Sequence, residues 1–305
     1  MDRASGELRG KSIVITGASS GFGRGAALAF AEAGASVALA ARREHLLEEV
    51  AKECRARGPK AVALQADVSN PEDVAVLAER AVSELGAIDV WINNAGVGAI
   101  GRFERVPLED HEQVLATNLL GTLYGSHFAY RHFLERGSGI LINVSSELGR
   151  YGAPYYASYV AATHGVVGLG EALRQELEQN GIENVHVCTV LPAAHDTPFF
   201  DHVANYSGHE VQVPDRLHDP QNVVDALLRL AVDPKDQEIV GADGVAKILL
   251  QRLAPGVAEK IGGRRMHETQ MEKAPPAPDS PGAVRAPSEV GTEVSAGRSR
   301  RKTPR

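Results

Sequence analysis

The feature that most limits what this chain can fold into is a repeated alternation. Short, continuously apolar, β-branched runs each precede a longer stretch with helical periodicity. "SIVITG" (12–17), "SVALAA" (36–41), "AVALQADV" (61–68), "IDVWINNAG" (88–96), "GILINVSS" (139–146) and "VHVCTVLP" (185–192) read as six strands. A helix through Ala33, a charged amphipathic helix over 44–57 and a helix from about Pro71 to Leu85 separate the first four. Runs without polar alternation belong to strands buried on both faces, so the sheet is parallel and covered by helices on both sides. Right-handed crossovers then leave a doubly wound, Rossmann-like α/β sheet with little topological freedom. One domain over residues 10–265 is expected, with a C-terminal substrate-loop region and no internal repeat.

The flanks differ. Residues 1–9 read as a short arm. From 268 to 305 the chain is rich in Pro, Ser, Gly and Ala, with a basic end in "RSRRKTPR". It lacks the large apolar side chains needed to offset chain entropy, and therefore reads as a disordered, solvated tail. At 305 residues and 43% hydrophobic, the rest is long enough to bury a sizeable core. The formal charge of −7 argues against a general nucleic-acid binder. Cys54 and Cys188 are far apart and form no CxxC, which suits a reducing cytosol without a disulfide framework. The start carries no apolar run of the signal-peptide type, and no stretch reaches the roughly 18 apolar residues that span a bilayer. A soluble, cytoplasmic protein with no membrane partner is expected.

Chemistry first appears in "TGASSGFG" (16–23), which ends the first strand and opens the first helix. Gly17, Gly21 and Gly23 allow a tight turn and a close backbone approach to a pyrophosphate, and Ser19, Ser20 and Phe22 share that turn. The helix N-terminus behind it offers free N–H groups and a partial positive charge. The end of the second strand bears on which dinucleotide fits. An acidic side chain there would hold the ribose 2′-hydroxyl of NAD. This chain has Ala41, Arg42 and Arg43 instead. A guanidinium pairs with a 2′-phosphate in bidentate fashion, so Arg42 points to NADP(H).

The spacing TGxxxGxG is followed in order by "DV" at 67–68, "NNAG" at 93–96, Asn118 in "TNLLG", "NVSS" at 143–146, and Tyr159. Over residues 10 to about 200 this resembles the short-chain dehydrogenase/reductase family. The resemblance implies that Asp67 accepts from the adenine amino group, with Val68 packing nearby. It puts Asn93, Asn94, Ala95 and Gly96 along the cofactor, the asparagines bracing neighbouring strands. Pro192 and Thr197 in "LPAAHDTPFF" match the family's segment beside the carboxamide or phosphates, with Ala193 replacing a glycine. Residues from about 196 to 220 would form a lid over the substrate. Ser146 and Tyr159, thirteen residues apart, match the oxygen-binding serine and the proton-transferring tyrosine. Asn118 would organise a water. A homodimer or homotetramer is implied, pairing the helices that follow Pro107 and contain Tyr159.

One further position departs from that pattern, and more seriously. "YVAATHGVVGL" (159–169) matches without a gap, except that Thr163 stands where the family has lysine. An ordinary tyrosine has a pKa near 10, so about one phenol in a thousand is ionised at pH 7. A neighbouring ammonium lowers that value, whereas a threonine hydroxyl brings no charge. His164 lies about 140° around the helix from Tyr159 and is not a substitute. His195, His202 and His209 recur every seven residues, but "NYSGHE" breaks any shared helical face, and no metal site is assigned. The chain thus reads as an NADP(H)-dependent oxidoreductase moving hydride between nicotinamide and a carbonyl or secondary alcohol, with activity reduced by Thr163. An alternative stays open: an NADP(H)-binding protein without catalysis, serving as a sensor or assembly partner.

Overall fold

A computed structural model describes residues 6–298. Seven strands form one parallel sheet in the order β3-β2-β1-β4-β6-β7-β9. They are β1 (Ser12–Thr16), β2 (Ser36–Ala41), β3 (Ala61–Gln65), β4 (Val90–Asn93), β6 (Gly139–Val144), β7 (Val185–Pro192) and β9 (Gln237–Val240). A separate two-stranded pair joins β5 (Ala99–Gly101) to β8 (Ala204–Tyr206). Successive side chains feed opposite cores. Ile13, Ile15, Val37 and Leu39 pack on one face against Phe30 of α1 (Gly21–Glu32), Leu47 of α2 (Glu44–Arg55) and Leu227 of α8 (Gln221–Leu230). Val14, Ala38, Ala40 and Trp91 pack on the other, against Leu77 of α3 (Pro71–Leu85) and Phe133 of α5 (Gly121–Arg136). Both parities are buried, and this is why the strands carry no polar alternation.

The helices between are α4 (Leu108–Leu115), α6 (Ala157–Gln179), the single turn α7 (Phe199–His202), α9 (Ala242–Leu253) and α10 (Pro255–His267). Asn70 starts α3 by accepting from the Glu72 amide at 3.0 Å, ahead of Pro71 in its first turn. Among the described residues no helix is long and apolar enough to cross a membrane.

The structure departs from the sequence reading in four places. The third and fourth strands stop at Gln65 and Asn93, so Asp67 and Asn94–Gly96 lie beyond the strand ends, on the rim of the sheet. A seventh strand, β9, adds to the edge through β7; with Gln237, Glu238 and Ile239 only half-buried, it has no apolar run to betray it. The segment read as a lid contains β8, pinned in register on β5, so only part of it is loop.

The fourth departure is the largest. The segment from Glu268 to Arg298 is not a solvated tail but lies along the domain. Val284 is fully buried among Val97, Ala99, Val106, Val114 and Ala204, and backbone bridges join Asn205 to Ser280 and His209 to Pro276. Composition weighs only apolar burial, whereas this segment is held mainly by polar donors that the domain offers to its carbonyls. Residues 299–305 fall outside the described chain, as do 1–5 of the arm, whose Leu8 is fully buried in the core.

The Phe133 ring is fully buried and packs directly on Gly139, where an added Cβ would come within 2.0 Å of it. Phe133→Ala is expected to lower unfolding free energy by about 3–5 kcal/mol, read from urea titration of the full chain.

Candidate functional site

The carboxyl ends of β1 and β4 open a crevice, and two turns meet across it. The Thr16 hydroxyl accepts from the amides of Asn94 (3.0 Å) and Ala95 (3.2 Å), and Asn94 Nδ2 donates to the Thr16 carbonyl at 2.9 Å. Gly17 takes φ +66°, and a Cβ there would lie 2.8 Å from Ala95 Cα. A Cβ on Gly23 would come within 2.3 Å of the Gly17 carbonyl oxygen, backbone that cannot give way. Gly23 is therefore needed for packing and does not face the crevice.

The crevice widens into one cavity of about 890 Å³. Its wall takes in Gly17, Ser19, Ser20, Gly21, Phe22, Arg42, Asp67, Val68, Asn94, Ala95, Gly96, Asn118, Ser146, Tyr159, Thr163, Pro192 and Thr197. Asn93 is a correction. It is buried behind the wall, donating to Asn143 Oδ1 at 2.9 Å and accepting from Trp91 Nε1 at 2.7 Å. It braces β4 against β6 and reaches no ligand space.

At one end stand the two arginines. Arg43 Nη2 donates to Ser19 Oγ (2.9 Å) and Ser20 Oγ (3.1 Å), fixing the glycine-rich turn. Arg42 reaches toward the C-terminal segment, donating to the Ala283 carbonyl at 2.7 Å. Asp67 Oδ1 accepts from the Ser69 hydroxyl at 2.7 Å.

At the other end, Asn118 sits in a π-helical turn (Ala116–Leu120) between α4 and α5, a bulge often found at functional sites. Its side chain pairs with the Val97 backbone through two 2.8 Å bonds, and its carbonyl accepts from Thr122 Oγ1 at 2.8 Å. Ser146 follows β6 by two residues, caps the short turn Glu147–Gly149 and accepts from the Leu148 amide at 3.2 Å. Tyr159 lies in the first turn of α6 with its ring 5.5 Å from that of Phe199. Burial raises its pKa; the hydrogen bond with Ser146 works against this, and the Glu147 carboxylate adds to the rise. The phenol therefore stays protonated at neutral pH. Thr163 is buried and turns its hydroxyl back onto its own helix, to the carbonyls of Tyr159 (3.0 Å) and Val160 (3.1 Å). His164 is exposed and bonds the Val160 carbonyl. His195, His202 and His209 each bond a backbone carbonyl, of Ala193, Val290 and Ser207. Among the described residues no three metal-ligating side chains converge.

Sequence reasoning missed a charged chain on the same wall. Lys247 Nζ lies 2.8 Å from Glu147 Oε1 and 3.0 Å from Asp243 Oδ2, and Asp243 hydrogen-bonds His218. The Asp243–Lys247 spacing is legible as an i,i+4 helical pair, but nothing in the sequence says that it meets Glu147, the neighbour of Ser146. Burial pushes the Asp243 carboxyl up, yet hydrogen bonds from His218 and Lys247 together outweigh it and bring the pKa to about 2. Burial likewise opposes the Lys247 charge, and Glu147 with Asp243 overrides it, leaving that pKa raised. Beyond this chain the wall turns apolar, with Phe199, Phe200, Leu250, Ile261 and Met266.

Asp243 is depressed in the folded state, so its stabilisation is present above its unfolded pKa of about 3.9 and is lost as pH falls through the folded value. Asp243→Asn should therefore be less stable than the parent at neutral pH, with the gap closing between about pH 4 and about pH 2 in urea titrations.

Comparison with known proteins agrees with this geometry. A family model described as short chain dehydrogenase matches residues 11–206. An uncharacterized oxidoreductase of Bacillus subtilis, YxnA, is 35% identical over 280 residues, 91% of this chain and 78% of that protein. A short-chain dehydrogenase/reductase of Burkholderia phymatum, solved in complex with NAD, superposes with a TM-score of 0.74 at 26% identity, covering 82% of this chain and 96% of that one. An alcohol dehydrogenase of the archaeon Thermococcus sibiricus, complexed with 5-hydroxy-NADP, gives 0.66 at 25% identity over 75% of this chain and 95% of that one.

Proposed function

Because the chain belongs to the short-chain dehydrogenase family, we propose that it is an NADP(H)-dependent oxidoreductase acting on a small-molecule carbonyl or secondary alcohol, slowed by Thr163. One observation carries this reading: a single cavity runs from the glycine-rich turn to Tyr159 and gathers the residues assigned from the sequence, Gly23 and Asn93 excepted. The cradle fits a dinucleotide. Gly17 lets the first turn close against Ala95 without a side chain between them, α1 presents its N-terminus to the cavity, and Arg42 and Arg43 would supply cations to a 2′-phosphate. Asp67, Val68, Asn94, Ala95 and Gly96 would hold the adenosine half, and Pro192 and Thr197 the nicotinamide half. Bound there, the cofactor supplies or takes up a hydride.

The chain's own groups manage the substrate oxygen. Ser146 donates a hydrogen bond to it and stabilises the charge that develops. Tyr159 gives it a proton on reduction and takes one on oxidation. With its pKa raised by burial and by Glu147, the phenol is held in the protonated form that carbonyl reduction uses, as a weaker acid than an ordinary tyrosine and with little phenolate to serve as the base of alcohol oxidation. Two groups that would ease that transfer are otherwise engaged: Thr163 bonds its own helix, and Thr122 occupies the Asn118 carbonyl. The apolar stretch beyond Tyr159 suits a substrate with a hydrophobic body. That same Thr163 geometry favours the second reading, a cofactor-binding protein without turnover. Of the two helices expected to pair in a homodimer or homotetramer, those following Pro107 and containing Tyr159, exposed Leu108 on α4, Leu120 in the π-helical turn after it, and Leu123 and Leu134 on α5 support an interface on the Pro107 side. A cytoplasmic setting fits the buried, unpaired Cys54 and Cys188.

Thr163→Lys is expected to raise NADPH-dependent reduction of an aldehyde and ketone panel by about 10² or more. It should also move the rising limb of the alcohol-oxidation pH profile downward, because a depressed phenol pKa supplies the base at lower pH. NADPH binding without turnover in either form would establish the non-catalytic reading. NADPH should bind the parent more tightly than NADH, measured by quenching of the Trp91 region or by calorimetry; equal affinities would remove Arg42 from the 2′-phosphate role.

A further inference from the structure

The donors assigned above to the phosphate groups of the cofactor already have acceptors, and those acceptors belong to the C-terminal segment. Arg42 Nη2 donates to the Ala283 carbonyl at 2.7 Å, and Nη1 to those of Val284 (3.1 Å) and Arg285 (3.2 Å). Arg43 Nη1 donates to the Ser288 carbonyl at 2.6 Å. The Gly21 amide, at the N-terminus of α1, donates to the Glu293 carbonyl at 2.9 Å. Arg24 adds a bond to the Thr292 carbonyl at 3.0 Å. Two guanidinium groups and a helix-terminal N–H are the donor set that recognises a phosphate oxygen.

The segment is fixed at both ends. Upstream, Val284 is buried and Arg285 Nε lies 2.6 Å from Asp110 Oδ1, a fully buried carboxylate. Downstream, Arg298 donates to the Thr197 carbonyl at 2.9 Å and ion-pairs with Asp201, and the Ala296 amide bonds the Asp196 carbonyl. Between these anchors little apolar surface is buried, and Val290 is largely exposed. Hydrogen bonds to neutral carbonyls hold the middle of the strap against the entropy of ordering it.

We propose that residues 283–298 act as an intramolecular ligand of the adenosine-phosphate end of the crevice, which a 2′-phosphorylated nucleotide displaces in order to bind. The inference rests on the dinucleotide reading of the cavity. A phosphate outcompetes the carbonyls because it meets the guanidinium with a full opposite charge and bidentate geometry, where a carbonyl offers only a dipole. Since the open form is a fraction of the whole, the apparent dissociation constant is the intrinsic one divided by that fraction. Freeing the strap therefore tightens nucleotide binding without touching the nucleotide's own contacts.

The test uses the full chain and 2′,5′-ADP as probe. Gly291 has φ +68°, and a Cβ there would come within 2.7 Å of His202 Nε2 and 2.9 Å of Pro198 Cβ, so Gly291→Val lifts the strap from outside the donor set. Arg298→Ala, at the downstream anchor, provides a second route to the same release. Both variants should bind 2′,5′-ADP about tenfold more tightly in calorimetry, the gain expected if about one molecule in ten is open in the parent. In the parent, saturating 2′,5′-ADP should speed tryptic cleavage after Arg285. Unchanged or weaker binding in the variants, or slower cleavage in the presence of the probe, overturns the proposal; the latter result would mean that the strap closes over a bound nucleotide. Failure of the parent and both variants to bind 2′,5′-ADP or NADPH would instead overturn the dinucleotide reading on which it rests.

Discussion

The site depends first on how two turns are stitched together at the centre of the sheet. β1 is flanked by β2 on one side and by β4 on the other, so the connections after β1 and β4 leave in opposite directions and a crevice opens between them. Thr16 and Asn94 set its width. The threonine hydroxyl takes the amides of Asn94 and Ala95, and the asparagine amide takes the Thr16 carbonyl. Held this close, the backbone leaves no room for a side chain at Gly17 or Gly23. Sequence, turn geometry and ligand space are thus one constraint: the glycines are required because the turns touch, and the crevice is shaped because they touch there.

Given that frame, the chemistry turns on charge at one position. Ser146 and Tyr159 face one cavity, but among the described residues no cation counts among the influences on the phenol. Desolvation and Glu147 act in the same direction on it, both favouring the neutral form. Lys247 does not fill the gap, because its ammonium is held between Glu147 and Asp243 and its field is largely cancelled there. A half-buried phenol whose neutral form is favoured in this way gives up its proton less readily than an ordinary tyrosine. On the reading proposed above, Thr163 would bear on the proton steps more than on ligand fit.

How much of this was legible in the sequence depended on how local each signal was. Six of the sheet's strands were visible because both of their faces are buried, and the helix from Pro71 to Leu85 because cap and proline mark its start. The cavity wall was legible because the turn residues at the ends of β1, β2 and β4 follow their strands at fixed distances. β9 was not, since an edge strand tolerates Gln237 and Glu238. Asn93 and Asn94 could not be told apart by sequence, although one is a buried brace and the other a wall residue. Glu147 and Lys247, a hundred residues apart, meet only through the tertiary fold.

The C-terminal segment shows the same limit from the other side. Reading it as disordered assumed that a chain orders only by burying apolar surface. It orders here because the domain carries donors, Arg42, Arg43 and the Gly21 amide, whose natural acceptors are anionic and which are otherwise left to water. Backbone carbonyls meet that demand imperfectly, since they bring the right geometry but no charge. Under the displacement proposed above, such an arrangement would fix the strap and yield to a phosphate. The cationic end of the crevice thereby accounts for the resting place of a segment with almost no core of its own.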